Sequence, residues 1–381
     1  MRTEGGPRAY PGTILSPAMS FHDDCFVLDG HTDVPTRLWE APADLGAAQP
    51  DRHVDLPRLR RGGVDGVVFA LYIPPPLSPE RGWRHALELH AATERALEPL
   101  AGRMEIVATA EDLRRSAHRG MTGVLIGLEN GRPLTVPGAL DACEKLGVRY
   151  VTLTHNATHE WCDAGTDRPA HGGLAPAGEQ IIRELNKRRI LPDVSHTSDD
   201  AVLHVLDVSK GPVIASHSSA RALCDHPRNL PDPLIREIAR KGGVVMANSY
   251  PAFIDPAARE ADRKRLDLVL PTLLATEEAY MADPGAHWQE RAQLFVDHPL
   301  PPVSRDRFVD HLLHLVNVAG EEHVGIGTDF DGIPEALQGF EDPSRFPDLT
   351  AALLERGLDK AGVRLILGEN FLRVLAQAEA I

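Results

Sequence analysis

Short apolar runs rich in β-branched residues recur eight times along the chain, and segments with helical periodicity separate them. The runs span 27–31, 67–73, 124–130, 150–156, 190–196, 213–218, 244–249 and 324–329. Near-continuous apolar runs are typical of parallel strands that are covered on both faces. Their alternation with helical segments predicts an α/β fold, a closed (β/α)₈ barrel of the TIM type. An open doubly wound sheet is the alternative, because one miscounted strand would favour it.

The segments between the runs have the spacing of amphipathic helices, as in residues 79–100, 177–188 and 233–241. The interval after the seventh run is much longer than one crossover helix requires, and residues 310–318 are enough to supply that helix. Residues 251–302 are therefore predicted to be a helical insertion on the loop after the seventh strand. Loops on that face carry function, so a lid is expected, with an oligomer contact or a decorative insertion as alternatives.

Composition and charge exclude several classes of protein. The chain is 43% hydrophobic and 25% charged, as globular domains are, and its formal net charge of −15 disfavours nucleic-acid and anionic-membrane partners. We expect an N-terminal extension over 1–24 and a single barrel domain over 25–381. The start of the chain has no apolar core of a secretory signal, and no run of 18 apolar residues occurs. The four cysteines form no Cys-x-x-Cys pair, so reduced thiols and a cytoplasmic location are expected.

Residues that bind metals or transfer protons lie at the carboxyl ends of six of the eight predicted strands. They are His31, Asp33, Glu129, His155, His196, His217 and Asp329. Barrel enzymes place their active sites on this face. A single histidine at a strand end is more often a hydrogen-bonded residue than a metal ligand. The repetition on successive strands is what predicts a site.

The types of these residues favour a particular metal. Imidazoles and carboxylates without a thiolate suit Zn²⁺, with Mn²⁺, Fe²⁺ or Co²⁺ as substitutes. His31 and Asp33 share one side of an extended segment and are placed to bind one ion. His196 and His217 come from neighbouring strands and are placed to hold a second. Glu129 between them is predicted to bridge two ions ~3.5–4 Å apart.

A water that bridges two such ions loses a proton near neutral pH and becomes a nucleophile. Asp329 is then predicted to be the proton shuttle, which takes the proton of the water and passes it to the leaving nitrogen. The residues therefore predict a binuclear metal hydrolase.

Several segments together resemble the membrane (renal) dipeptidase family of amidohydrolase-like barrels. They are DGHTDVP (29–35), GLENG (127–131), YVTLTHN (150–156), DVSH (193–196), VIASHSSARALCDHPRN (213–229), GIGTDFDG (325–332) and GENFLRV (368–374). The resemblance runs from about residue 22 to residue 376. It implies a zinc-dependent dipeptidase that cleaves small dipeptides, including those with a carboxyl-terminal D-residue, through a metal-bridging hydroxide. A homodimer is expected from the same resemblance.

The resemblance also assigns roles to single residues. It implies the same five metal ligands for two zinc ions per chain, with Glu129 bridging, and implies that Asp329 also contacts the free amine of the substrate. His155 would hold the scissile carbonyl or its oxyanion. Arg228 would take the terminal carboxylate, a role that suits its planar guanidinium, with a surface ion pair as the alternative. Tyr72 and Tyr250 would line the pocket.

The chain departs from the animal members of the family outside the metal centre. We expect neither the secretion signal nor the lipid-anchor signal of those members, and its cysteines do not fall where their disulfides lie. Thr36 follows Pro35 where an aromatic residue is frequent, and the insertion after Tyr250 is longer. These differences leave the side-chain specificity open.

Two other functions therefore remain open. One is a binuclear metal amidohydrolase that acts on a non-peptide amide or a lactone, and the other is a non-hydrolytic, metabolite-modifying member of the family. Arg228 discriminates the first from a dipeptidase, because only a substrate with a free carboxylate needs a cation there.

Overall fold

The computed structural model describes residues 17–280 and 292–381. In these residues nine strands form one sheet, and all the strand pairs are parallel. The strands are β1 (Leu28–Thr32), β2 (Gly66–Tyr72), β3 (Met104–Ile106), β4 (Thr122–Glu129), β5 (Val148–Thr152), β6 (Leu191–Asp193), β7 (Ile214–Ala215), β8 (Val244–Ala247) and β9 (Val324–Ile326). Eight of them follow one another in the order β1-β2-β4-β5-β6-β7-β8-β9.

The first and last of these strands meet through the residues that follow them. Thr32 pairs with Phe330 in a parallel bridge. The backbone N–H of Asp329 donates to the carbonyl oxygen of His31 at 3.0 Å. These contacts bring the two edges of the sheet together, and the predicted (β/α)₈ barrel is confirmed.

The sequence missed β3, which pairs with the first three residues of β4. A strand of three residues is too short to show a hydrophobic pattern of its own. Several predicted strands are also too long: residues 190–196 contain only the three residues of β6, and 213–218 only the two of β7. The apolar pattern continues past the sheet because the segments that follow these strands are buried as well.

Helices cover the outside of the barrel. They are α1 (Pro17–Asp23), α2 (Val34–Glu40), α3 (Leu56–Arg61), α4 (Pro79–Leu97), α5 (Ala110–His118), α6 (Ala139–Lys145), α7 (Pro176–Lys187), α8 (Asp199–Val208), α9 (Asp232–Arg240), α10 (Pro251–Ile254), α11 (Pro256–Tyr280), α12 (292–297), α13 (Arg305–Ala319), α14 (Phe346–Glu355), α15 (Lys360–Arg364) and α16 (Asn370–Glu379). Short side chains begin several of them. The hydroxyls of Ser78, Thr109 and Ser198 accept backbone N–H groups at the starts of α4, α5 and α8.

The two faces of the strands pack in two separate buried clusters. Val67 and Phe69 of β2 pack with the helices outside the barrel. Val68 belongs with Tyr150 and Met246 to the second cluster, which lies inside the barrel because alternate residues of a strand face opposite ways. A Cβ on Gly127 would lie 2.6 Å from the ring of Tyr150, so this position requires glycine. The barrel therefore makes room for a tyrosine just below the predicted site.

The predicted division into an N-terminal extension and a barrel domain is only partly covered by the described residues. Residues 1–16 and 281–291 lie outside the described residues, and the division at residue 25 stays a prediction. Helix α1 packs on α14, where His22 Nδ1 and Thr350 Oγ1 are 2.7 Å apart. Helices α10, α11 and α12 follow β8, as the sequence predicted for residues 251–302.

All four cysteines are free and buried. Among the described helices none has the length and apolar character to cross a membrane.

Candidate active site

The predicted site residues meet at the carboxyl end of the barrel. His31 lies in β1, and Glu129 is the last residue of β4. Asp33 follows β1 directly. The other predicted residues stand two or three positions beyond their strands, and they are His155, His196, His217 and Asp329. The short segments after the strands therefore carry more of the site than the strands do.

Two of these segments use an unusual backbone conformation. The φ angle is 70° at His196 and 67° at Asp329. A residue other than glycine seldom adopts such a φ angle, and where it does the residue often has a functional role. Gly332 lies in the segment after β9, at a position that requires glycine. A Cβ there would overlap the carboxylate of Asp33 and lie 2.5 Å from Asp329 Oδ1.

Glu129 lies at the centre of the histidines. Its Oε2 is 3.5 Å from His31 Nε2. Its Oε1 faces the other side, 3.2 Å from His196 Nε2 and 3.5 Å from His217 Nε2. Asp33 Oδ2 lies 3.9 Å from His31 Nε2. The two oxygens of one buried carboxylate thus face two different sets of ligands.

The described residues contain three groups of possible metal ligands, and within each group the ligand atoms lie within 4.8 Å of one another. The groups are His31–Glu129–His217, Glu129–His155–His196, and His31–Asp33–Asp329. Glu129 and His31 each belong to two groups, so the three groups form one continuous cluster.

Hydrogen bonds hold the imidazole of His31 in one orientation. His31 Nδ1 is 2.7 Å from the hydroxyl of Tyr150, and that hydroxyl donates to the carbonyl oxygen of Gly30 at 3.2 Å. The hydroxyl therefore accepts the Nδ1 proton, which leaves a lone pair on Nε2. A partner on the outer nitrogen of this kind is typical of metal-bound histidines.

The other two histidines have the same arrangement. Ser216 Oγ donates to Asp193 Oδ2 at 2.6 Å and accepts the Nδ1 proton of His217 at 2.7 Å. The Nδ1 of His196 donates to Asn156 Oδ1 at 3.0 Å. Both Nε2 atoms then carry lone pairs, yet they lie only 3.0 Å apart. Two facing lone pairs repel each other unless a cation lies between or beside them.

Unpaired atoms in the cluster also indicate a cation. His31 Nε2 and Asp33 Oδ1 are buried and have no hydrogen-bond partner among the described residues. Buried polar atoms are nearly always paired, so these atoms require an explanation. Nitrogen and carboxylate donors without a thiolate suit zinc, and the cluster fits such an ion.

The pKa directions agree with a metal site. Burial holds the pKa of His196 and of His217 well below the usual value, so both are neutral, as ligands must be. Burial and the charge of Glu129 raise the pKa of Asp33 well above its usual value. Burial alone would lower the pKa of His31, but Glu129 and Asp33 outweigh it and raise that pKa to about 10. The carboxylates thus draw positive charge to His31, where a bound metal ion would take the place of a proton on Nε2.

His155 and Tyr72 lie together at one edge of the cluster. The ring of His155 meets that of Tyr72 edge to face at 4.8 Å and lies 4.3 Å from the ring of His196. Tyr72 pairs in register with Glu129 across β2 and β4, which places the two residues side by side. Both His155 and Tyr72 are partly exposed and stand at the mouth of the site.

Arg228 is buried beside the cluster. Its Nη2 donates to the carbonyl oxygen of His217 at 3.1 Å, and its guanidinium lies 5.4 Å from the centre of the Phe253 ring. Its Nε and Nη1 have no hydrogen-bond partner among the described residues. Burial lowers its pKa to about 10, against the charges of Asp329 and Glu129. The alternative of a surface ion pair is wrong, because the guanidinium is buried and retains free N–H groups for an anion.

Tyr250 has a different environment from the one expected. It is buried, and its hydroxyl bonds to Asp262 Oδ1 at 2.9 Å and to Arg265 Nη2 at 2.5 Å. Both partners belong to α11. Its ring packs on the side chain of Phe253, which in turn lies under Arg228. Tyr250 therefore connects the insertion to the site.

Sequence reasoning missed the residues that orient the site. They are Tyr150, Asn156, Asp193, Ser216 and Asn248, the last of which donates to Asp329 Oδ2 at 3.0 Å. Four of them stand within quoted motifs that also contain predicted site residues. That position was the available signal, but a tyrosine or serine in a strand gives no sign of which histidine it contacts.

Comparisons with known proteins agree with this geometry. The profile of the membrane dipeptidase family, peptidase family M19, matches residues 16–381. The chain belongs to this family. A dipeptidase of Claviceps purpurea, tcpJ, is 33% identical over 86% of this chain and 70% of its own length.

Solved structures show the same relationship. The probable dipeptidase PvdM of Pseudomonas aeruginosa is 26% identical, with a TM-score of 0.83 over 95% of this chain and 98% of that one. The dipeptidase AC, a metallopeptidase of family M19, is 25% identical, with a TM-score of 0.75 over 93% and 98% of the two chains. The predicted family is confirmed, and this member of it is a metallo-dipeptidase.

Proposed function

We propose that this dipeptidase works with two Zn²⁺ ions, one held by His31 and Asp33 and the other by His196 and His217, with Glu129 bridging them. The observation that carries the proposal is the position of Glu129, whose two oxygens face different histidines at 3.2–3.5 Å. Bound zinc polarises a carbonyl and lowers the pKa of water towards neutrality.

The residues around the ions have separate roles in proton transfer and in binding the scissile carbonyl. Asp329 takes the proton of the attacking water and delivers it to the leaving nitrogen, and the amide of Asn248 keeps its carboxylate in place. His155, at the mouth of the site, donates a hydrogen bond to the oxygen of the scissile carbonyl as charge develops there. Tyr72 packs against the ring of His155 and limits its movement.

Arg228 binds the carboxylate at the end of the dipeptide through the N–H groups that have no partner in the described residues. A carboxylate bound in this way fixes the end of the substrate and leaves the configuration of its α-carbon free. The proposal therefore extends to dipeptides whose carboxyl-terminal residue has the D configuration.

The test is amino-acid release from matched L–L and L–D dipeptides, with protein stripped by a chelator and then restored with Zn²⁺. We expect release only after zinc is restored, with about two ions bound per chain, and hydrolysis of both series. No release from any dipeptide, with two zinc ions bound, would instead favour a hydrolase of a non-peptide amide or lactone. Activity that is unchanged by the chelator would contradict the metal mechanism.

The role of Arg228 has its own test. Arg228→Met should raise KM for a dipeptide about 10- to 100-fold, because a hydrogen bond to a charged group contributes roughly 1.5–3 kcal/mol. The same variant should not change KM for the corresponding dipeptide amide, which lacks the carboxylate. Arg236→Met is the control, since that side chain is 57% exposed and lies on α9. An equal effect on both substrates would count against carboxylate binding.

A further inference from the structure

A largely apolar cavity of about 380 Å³ lies between α12 and the loop that follows β9. Ala292, Phe295 and Val296 of α12 line one wall. Ile333 and Pro334 of the loop line the other. A cavity of roughly 150 Å³ is enough to hold benzene, so this one has room for a leucine or phenylalanine side chain.

The cavity shares a wall with the metal centre. Gly332 lines it, and the same glycine approaches the carboxylates of Asp33 and Asp329 so closely that a Cβ would overlap the first. The backbone N–H of Ile333 donates to the carbonyl oxygen of Asp329 at 3.1 Å. A group bound in this cavity therefore lies next to the site of reaction.

Glu335 is the one carboxylate among the described residues of the lining, and one of its oxygens is paired. Glu335 Oε1 accepts from Arg265 Nη1 at 2.5 Å and from the backbone N–H of Leu300 at 3.3 Å. Arg265 also donates to the carbonyl oxygen of His298 at 3.3 Å, and its guanidinium lies 4.6 Å from the centre of the Phe295 ring. Arg265 thus pairs with Glu335 and joins the two walls, and the other described residues of the lining are apolar or glycine.

The position of the cavity indicates which end of a substrate it receives. It borders Asp329 through Gly332 and Ile333, and Arg228 is not among the described residues that line it. Arg228, which would bind the carboxylate, contacts instead the carbonyl of His217 and the ring of Phe253. The cavity is therefore on the side of the amino-terminal residue.

We propose that this cavity binds the side chain of the amino-terminal residue of the dipeptide and selects large apolar side chains. The inference rests on the proposed dipeptidase mechanism and adds the class of substrate. Apolar pockets discriminate between side chains of different size by about 10- to 200-fold in kcat/KM. The wild-type enzyme should therefore prefer Leu–Ala to Ala–Ala and to Lys–Ala by about 10-fold or more.

The test is a substitution on α12 that fills the cavity with a larger side chain. Ala292→Trp should lower the ratio of kcat/KM for Leu–Ala over Ala–Ala by about 10-fold, and should leave the ratio for Ala–Leu over Ala–Ala unchanged. Gln293→Trp adds the same side chain at the next, exposed position of α12 and should keep the wild-type ratios. Val296→Glu is a second variant, at a side chain that is 69% exposed, and it should also lower the preference for Leu–Ala.

The outcomes separate the two proposals. A wild-type enzyme that cleaves no dipeptide after zinc is restored would overturn the proposed function itself. Zinc-dependent cleavage of dipeptides with ratios that neither variant changes would overturn the cavity alone. A preference for Lys–Ala would also overturn it, since it would mean that Glu335 attracts a cation. A loss confined to Ala–Leu would show that the cavity receives the carboxyl-terminal residue.

Discussion

The proposed metal centre and the apolar cavity both border Gly332, and they are built in different ways. Strands and the turns directly after them supply the proposed metal centre, its candidate ligands are buried, and a hydrogen bond orients each of the three histidines proposed as ligands. The cavity has one wall on α12, within the insertion, and a single guanidinium, that of Arg265, joins its walls. The difference indicates that the barrel determines the reaction, whereas the insertion can change the substrate without disturbing the chemistry.

The largest effect should come from breaking the metal centre at Glu129. Glu129→Gln removes one charged oxygen between the histidines, so zinc content should fall below two ions per chain. Loss of several kcal/mol of transition-state stabilisation should lower kcat/KM by more than about 10³-fold. Zinc analysis and dipeptide turnover measure the two effects. Glu160→Gln, at a side chain that is 51% exposed, is the control. A variant that retains two ions would contradict the bridging role.

Asp329→Asn should affect the reaction and leave the metals bound. The asparagine still accepts the hydrogen bond from Asn248 but cannot take a proton, and general acid–base groups contribute about 10²–10⁴-fold to rate. We therefore expect kcat to fall by that factor at unchanged zinc content. Turnover and zinc content are measured on the same preparation. Activity near the wild-type level would contradict the assignment of Asp329 as the acid–base group.

A pair of tyrosine variants compares the two regions directly. Tyr150→Phe removes the hydroxyl that orients His31, and loss of such an outer contact typically weakens metal binding about 10- to 100-fold. Tyr250→Phe removes a hydroxyl that contacts Asp262 and Arg265, and it should leave zinc affinity unchanged. Competition with a chelator measures both affinities. Equal affinities in the two variants would mean that Tyr150 is only a packing residue.

The smallest effect should come from Arg265→Lys. Lysine keeps the charge but cannot bond at once to Asp262, Glu335 and the carbonyl of His298, because it lacks the planar fork of arginine. Loss of about 1 kcal/mol of this support should reduce the preference for Leu–Ala over Ala–Ala roughly fivefold, with zinc affinity unchanged. The ratio of kcat/KM for the two dipeptides measures the preference, and a zinc titration measures the zinc affinity. A drop in zinc affinity would show that the two regions are coupled.

Much of the fold and of the metal centre could be predicted from local patterns. The apolar runs identified the eight strands of the barrel, and the polar residues at their ends identified the cluster of possible ligands that the structure brings together. The three-residue β3 was missed because so short a strand has no period to detect. The orienting contacts were also missed: Tyr150 and His31 are 119 positions apart in the chain, and no local pattern links them.

The sequence by itself determined the α/β class, the family and the chemical types of the candidate ligands, because strand periodicity and strand-end residues are local properties of the chain. The tertiary structure alone decided which oxygen of Glu129 faces which histidine and which nitrogen of each imidazole is left for a metal. It further decided that Arg228 is buried, with two of its nitrogens unpaired among the described residues. It also decided that α12 closes an apolar cavity against the loop after β9. These features depend on contacts between elements far apart in the chain, and such contacts exist only once the barrel has packed.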